Sequence, residues 1–257
     1  MEQPPTRVAV VGADASLRSR VRQVVEDAGG SPVDRAEADA LVAVGSGAVG
    51  EVVRARVSPA EASDTDDDRP AVVPVVDRSD TLGTTVLTAV ERLLAGETRW
   101  VEHPVLSVVG ESVTARAALD VAVVTDEPAQ IAEYAIERPH SRPVSVRADG
   151  VVVATPLGSR GYTAAVGGPR LDAGAGLAVV PIAPFSTRKS VWVVDGGVSV
   201  GLERGDGAVA LVVDGDSRTS IEPGETVDIE VTDRIAVAAP GQLNTTVHAD
   251  RKGSNNS

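Results

Sequence analysis

The chain has 257 residues, enough for one large or two ordinary cores, and 42% of them are apolar, as in globular proteins. It has no cysteine, which excludes disulfides, thiol catalysis and cysteine metal sites. Its net charge of −13 argues against nucleic-acid binding, because phosphate contacts need clustered Lys and Arg.

Residues 7–12, RVAVVG, predict a buried strand. Residues 15–28 then bring Leu17, Val21, Val24, Val25 and Ala28 onto one helical face, and Gly29-Gly30 ends that helix. Residues 39–44, DALVAV, predict a second strand, which runs into a glycine turn at 45–50 with a helix in EVVRARV after it. Residues 58–70 are polar and acidic and read as a solvated loop without a function of its own. A third strand is expected at 71–76, and 84–96, TTVLTAVERLLAG, is an amphipathic helix closed by glycine. Alternating strands and helices predict a Rossmann-like α/β domain over 1–96, with a parallel sheet and helices on its faces.

The pattern changes near 97. Short apolar runs at 105–109, 118–124, 151–154, 177–183, 191–194, 208–213, 227–231 and 235–238 are separated by Gly, Pro and Asp turns. This punctuation predicts a β-sandwich-like domain over 97–240, giving an α/β + β fold class. A short helix is expected at 127–135. Residues 241–257 form a polar tail expected to fray.

Five residues are aromatic, so Val, Ala and Leu must fill the cores. The lysines are Lys189 and Lys252 alone, while Asp64, Asp66, Asp67 and Asp68 form a run. Acid surplus with suppressed lysine points to a halophilic protein, soluble where the Debye length falls to about 3 Å. An ordinary acidic cytosolic protein is the plainer alternative. His103, His140 and His248 match no metal-ligand spacing and read as structural or surface residues. No segment reaches the ~20 apolar residues of a membrane span, and MEQPPTR lacks a signal core, so the cytoplasm is the expected location.

The most informative stretch is 149–171, DGVVVATPLGSRGYTAAVGGPRL. A strand that ends in small hydroxyl residues and glycines lets the backbone approach a polar ligand closely. Asp149-Gly150, Thr155-Pro156, Gly158-Ser159, Tyr162 and Gly167-Gly168-Pro169 resemble the signature of the NAD kinase family, which reads DG…TPTGSTAY…GGP. Leu157, Arg160 and Gly161 depart from it. The likeness continues in RLLAGETRWVEHPVLSV (92–108) and in VVPIAPFS (179–186), where Phe185 stands for a family histidine. It extends to LVVDGD (211–216), with Asp216 for a family glutamine.

The resemblance implies a two-domain NAD kinase-like fold with NAD or NADP in the interdomain cleft, and a homo-oligomer. It also implies transfer of a phosphoryl group, from ATP with Mg²⁺, to the 2′-hydroxyl of the adenosine ribose of NAD. The family's proton-accepting Asp lies in a Gly-Gly-Asp-Gly motif. Here Gly45-Ser46-Gly47-Ala48 occupies that place, with Gly47 in the acid's position. Asp39 lies about 25 Å along the strand and cannot substitute. Glu51 is a weak catalytic candidate, since Glu in a first helical turn is ordinary dipole chemistry.

Residues 45–50 also fit G-x-G-x-x-G, where a plain βα turn and phosphate contact are both open readings. In AALDVAVV (117–124), Leu119 replaces the Asn of a family Asn-acid pair and Asp120 is the acid. Asp120 is thus either a nucleotide contact or a strand acid at the domain seam. Thr155, Gly158, Ser159, Arg160, Tyr162, Gly167, Gly168, Asp149 and Asp214 complete the expected nucleotide site; no metal ligands are expected.

Three functions remain open at this point. The chain is a nucleotide-binding NAD kinase-like protein with weakened or lost transfer, an active kinase with a rearranged site, or a non-catalytic subunit of a true kinase.

Overall fold

The structure, a computed structural model, describes residues 6–12, 14–44, 46–55, 71–75, 82–126, 131–186, 190–205 and 207–238. The expected acidic loop at 58–70, the polar tail at 241–257 and Gly45 lie outside the described residues. The N-terminal part runs β1 (Arg7–Val11), α1 (Ala15–Asp27), β2 (Ser31–Pro32), β3 (Ala40–Val44), α2 (Ser46–Ala55), β4 (Ala71–Val75) and α3 (Leu82–Leu94). It continues with β5 (Trp100–Val109), β6 (Thr114–Ala117), β7 (Asp120–Thr125), β8 (Ala132–Glu137), β9 (Val144–Ala148), β10 (Gly150–Ala154) and the short α4 (Tyr162–Ala165). The chain then forms β11 (Leu177–Ile182), β12 (Trp192–Val194), β13 (Gly197–Arg204), β14 (Val209–Val213), β15 (Asp216–Ile221) and β16 (Thr226–Ala238).

β1, β3 and β4 pair in parallel, as the alternation of strands and helices predicts. Their unbroken apolar runs follow from burial on both faces. Val8, Val10, Val42, Val44 and Val73 pack against Val21 and Val25 of α1 and Val90 and Leu93 of α3. Leu41, Ala43 and Val72 face Val49, Val52 and Val53 of α2. Asp14 caps α1 by accepting the Leu17 amide at 3.0 Å, and that bond holds its carboxyl below the usual range.

Among the described residues the strands form two sheets. The six-stranded sheet has the order β12-β11-β10-β7-β14-β15. It packs on β5, β8, β13 and β16 through Val121, Val123, Val151, Val179 and Leu211 on one side and Leu106, Tyr134, Ile136, Val200 and Ile229 on the other. The second sheet joins both parts of the chain. Its order is β2-β1-β3-β4-β16-β13-β8-β9, with β5 paired to β16 and β6 to β5. β16 lies beside β13 in its first half, and Val237 near its end pairs in parallel with Val72 of β4.

Three local expectations are corrected. The apolar runs at 227–231 and 235–238 belong to one strand, β16, with a register shift between Val231 and Asp233 against β5. The helix expected at 127–135 is absent over its described part. Ala132–Glu137 is a strand instead, because Ala132, Tyr134 and Ile136 are buried in alternation, and 127–130 lie outside the described residues. The glycine turn at 45–50 gives way to helix at Ser46, because Ala48 and Val49 bury themselves against the sheet from the first turn.

The cluster beneath α2 also takes in Val105, Ala118, Ile235 and Val237 from the β part. That cluster is the junction on which the site is built.

Candidate functional site

Three segments meet at the junction: the 118–120 turn between β6 and β7, the 155–161 loop after β10, and the tip of the β14–β15 hairpin. Asp214 (φ 51°) and Gly215 (φ 85°) form that tip between the paired Val213 and Asp216. Positive φ at both positions is what a two-residue hairpin turn requires. The turn directs the Asp214 side chain inward, where it is buried. Its carboxylate accepts the amides of Ala118 (3.1 Å), Leu119 (2.8 Å) and Asp120 (3.2 Å), while its own amide donates to the Asp120 carbonyl at 2.9 Å. Fixed amides stabilise a buried carboxylate where water cannot.

Thr155, fully buried, ties the loop to the same turn. Its hydroxyl donates to the Ala118 carbonyl at 2.7 Å, with the Leu119 carbonyl 3.1 Å away, and accepts the Gly158 amide at 3.2 Å. Gly158 is demanded by proximity, since a Cβ there would lie 2.0 Å from the Leu119 carbonyl oxygen. The Ser159 hydroxyl, also buried, donates to the Pro156 carbonyl at 2.7 Å and accepts the Leu171 amide at 2.9 Å. Thr155, Ser159 and Asp214 thus spend these polar atoms on backbone partners.

Other expected residues are less buried. Burial first, and the neighbouring Asp214 second, push Asp120 up to about 6. Tyr162 opens α4 and is 46% exposed. Partial burial raises its phenol, and the carboxylates of Asp120 and Asp149 raise it further. The Asp149 carbonyl accepts the Thr125 amide at 2.9 Å and the Thr125 hydroxyl at 3.0 Å. Arg160 is half exposed and pairs with the fully exposed Asp172 at 3.8 Å, a weak contact in water. Gly168 admits close packing of α4, since a Cβ would lie 2.6 Å from Thr163 Cγ2, and Gly167 (φ 90°) makes the turn before it.

On α2, a Cβ at Gly47 would meet nothing within 4 Å, so a side chain has room there. Glu51 stands one turn further along on the same exposed face, opposite Val49 and Val53. Ser46 opens the helix. Leu119 and Leu157, which take the place of hydrogen-bonding residues in the resemblance, both pack against the apolar cluster of the junction. Among the described residues no three His, Cys, Asp or Glu side chains converge as a metal cluster.

Phe185 is exposed, lies 5.9 Å beneath the Arg147 guanidinium, and lines a cavity of about 350 Å³ with Arg147 and Trp192. His103, which reads from the sequence as a structural or surface residue, is buried on β5, and burial, then Arg160, holds its imidazole below the usual value.

The family model for the ATP-NAD kinase C-terminal domain matches residues 120–240. An NAD kinase of Methanospirillum hungatei is 34% identical over 110 residues, covering 42% of this chain and 40% of that protein. One of Methanosarcina acetivorans is 33% identical over 117 residues, covering 43% and 42%. The chain thus matches about two-fifths of the length of these curated relatives. Among solved structures, yeast NADH kinase complexed with NADH has a TM-score of 0.70 at 13% identity, over 99% of this chain and 91% of that one. An NAD kinase from Archaeoglobus fulgidus in complex with ATP has a TM-score of 0.65 at 19% identity, over 92% and 95%. These likenesses in structure establish a shared fold.

Proposed function

From the match of residues 120–240 to the family model for the ATP-NAD kinase C-terminal domain, we propose a nucleotide-binding role with little or no phosphoryl transfer. The chain holds NAD, NADP or another adenine nucleotide at the junction of its two parts. The observation that carries this reading is the packing of Leu119 and Leu157 into the apolar cluster beneath α2. Two positions that offer hydrogen bonds in the resembled family are here part of a core. Phosphoryl transfer depends on positioning and charge neutralisation, and its proton acceptor must stand within hydrogen-bond reach. Gly47 supplies no acceptor, and Glu51 lies on the exposed face of α2.

Binding needs less. The Tyr162 ring is available for stacking, Asp120 for accepting from an amino or hydroxyl group, and Arg160 for a phosphate. The seam of Asp214, Thr155 and Gly158 keeps the 118–120 turn and the 155–161 loop in register behind them. That intact seam also favours a second reading, an active kinase with a rearranged site that uses ATP and Mg²⁺. We further place the protein in the cytoplasm of a halophile, as a homo-oligomer.

The test is calorimetric titration with NAD and NADP in concentrated salt, beside an assay of NADP formation from NAD, ATP and Mg²⁺. We expect saturable binding and turnover far below the ~1–100 s⁻¹ of kinases generally. Turnover in that range selects the second reading.

A further inference from the structure

The 155–161 loop leaves one end of β10. At the other end, about 16 Å along the strand, β9 turns into β10. There the Asp149 amide donates to the Ile182 carbonyl at 3.0 Å. Ala183 (φ 45°) then bends the chain so that the Phe185 amide donates to the Arg147 carbonyl at 2.8 Å. This bond fixes Phe185 beside β9. The cavity that Phe185 lines lies here, between β9 and β12, which are edge strands of the two sheets.

The chain has five aromatic residues, and both Phe185 and Trp192 stand in the wall of this cavity. Each ring carries a guanidinium, Arg147 at 5.9 Å from the Phe185 centroid and Arg138 at 5.0 Å from that of Trp192. Acids outnumber bases 37 to 24, yet among the described residues neither guanidinium pairs with a carboxylate. The Arg138 Nε is buried and has no hydrogen-bond partner. Glu133, the acid in the cavity wall, is already engaged. It accepts the Ser145 hydroxyl at 2.9 Å and stands 3.9 Å from Arg204. The unmatched charge of the wall is therefore positive.

A guanidinium takes a carboxylate through a planar fork, and an aromatic face takes a flat ring. One molecule whose ring and anion lie close together satisfies both. A cavity of about 350 Å³ is at the small end of ligand sites, which run about 300–1,000 Å³, and it suits one or two rings rather than a dinucleotide. A diphosphate would also bring more than one negative charge toward Glu133, where a carboxylate brings a single one.

We propose that this cavity is a binding site for a small aromatic carboxylate, its anion on Arg147 and its ring against Phe185 and Trp192. The site is separate from the junction and does not rest on the nucleotide-binding reading.

The test uses the full chain with ¹⁵N-labelled tryptophan, titrated with indole-3-acetate while the indole N–H resonances are followed; Trp100 on β5 is the internal control. We expect the Trp192 resonance to move saturably, with half-saturation below about 1 mM, while Trp100 stays. Indole-3-acetamide keeps the ring and loses the charge. It should bind at least about tenfold more weakly, and R147Q should weaken indole-3-acetate by as much, the loss of a charge-assisted bond. Acetate, which lacks the ring, should leave Trp192 in place. Arg147 is exposed, and should R147Q fail to fold, the comparison of acid and amide on the wild type still decides.

No saturable Trp192 shift, equal affinities for acid and amide, or R147Q binding as the wild type does overturns the proposal. A Trp192 shift that follows protein concentration without ligand would show a second copy of the chain filling the cavity, and overturns it as well. NAD titrated in parallel separates the two claims. NAD that binds without displacing indole-3-acetate supports both, whereas NAD that displaces it assigns the cavity to the nucleotide and overturns the separate site. Indole-3-acetate binding where NAD fails to bind leaves this site standing without the nucleotide reading.

Discussion

A carboxylate that accepts three backbone amides cannot be removed without orphaning all three. Asp214 does this for Ala118, Leu119 and Asp120. Asp214→Ala should therefore cost about 3 kcal/mol or more in urea unfolding, and a loss under about 1 kcal/mol would contradict the role given to it. Asp120 gives stability a pH dependence. Its pKa rises from 3.8 to about 6 on folding, so the folded state favours the protonated form. The resulting stability is full below pH 3.8 and is lost as pH rises through about 6. Asp120→Asn lacks that loss. Between pH 4 and 7 the variant should gain on the wild type by on the order of 1–3 kcal/mol, read from paired urea unfolding curves. Equal pH profiles would show that Asp120 is not desolvated.

Sequence reading picked out Asp120, Thr155, Gly158, Ser159 and Asp214 by type. It could not tell which of their atoms face a ligand. The bonds these side chains make join residues 94 to 96 positions apart for Asp214 and 37 for Thr155, and no local pattern encodes them.

At the scale of elements, α2 shows how packing overrides local preference. Gly-Ser-Gly-Ala-Val-Gly reads as a turn because glycine is a poor helix former. Burial of Ala48 and Val49 against the sheet starts the helix at Ser46 all the same. Gly47 has open space at its Cβ, so Gly47→Ala should stabilise by roughly 0.5–1 kcal/mol in thermal unfolding. Destabilisation would mean that Gly47 needs a conformation only glycine adopts.

β8 was legible in hindsight. Its buried Ala132, Tyr134 and Ile136 keep a period of two, which the mixed sequence AEYAIE half conceals. β16 was less so. The register shift between Val231 and Asp233 splits its apolar pattern, so one strand of thirteen residues reads as two. The valine-rich strands β3, β10 and β11 were plain, because burial on both sides writes continuous apolar runs.

At the scale of the molecule, the sequence changes periodicity near 97, and the strands on either side of that change share a sheet. The sharing was not legible in the sequence, because β16 returns across the chain to pair with β4 and draws both parts into one sheet. The charge of −13 acts on this whole body. Raising KCl from about 0.1 to 1 M shortens the Debye length from about 10 to 3 Å and screens self-repulsion. The melting temperature should rise across that range, and a flat or falling curve would remove self-repulsion as a major cost of folding.

The central claim is that the junction holds a dinucleotide it does not phosphorylate. Its most direct test is one mixture of excess wild-type protein, labelled NAD, ATP and Mg²⁺ in concentrated salt, passed rapidly over a sizing column. The account predicts that label travels with the protein and is recovered as NAD. Label recovered as NADP, or label that leaves the protein behind, would contradict it.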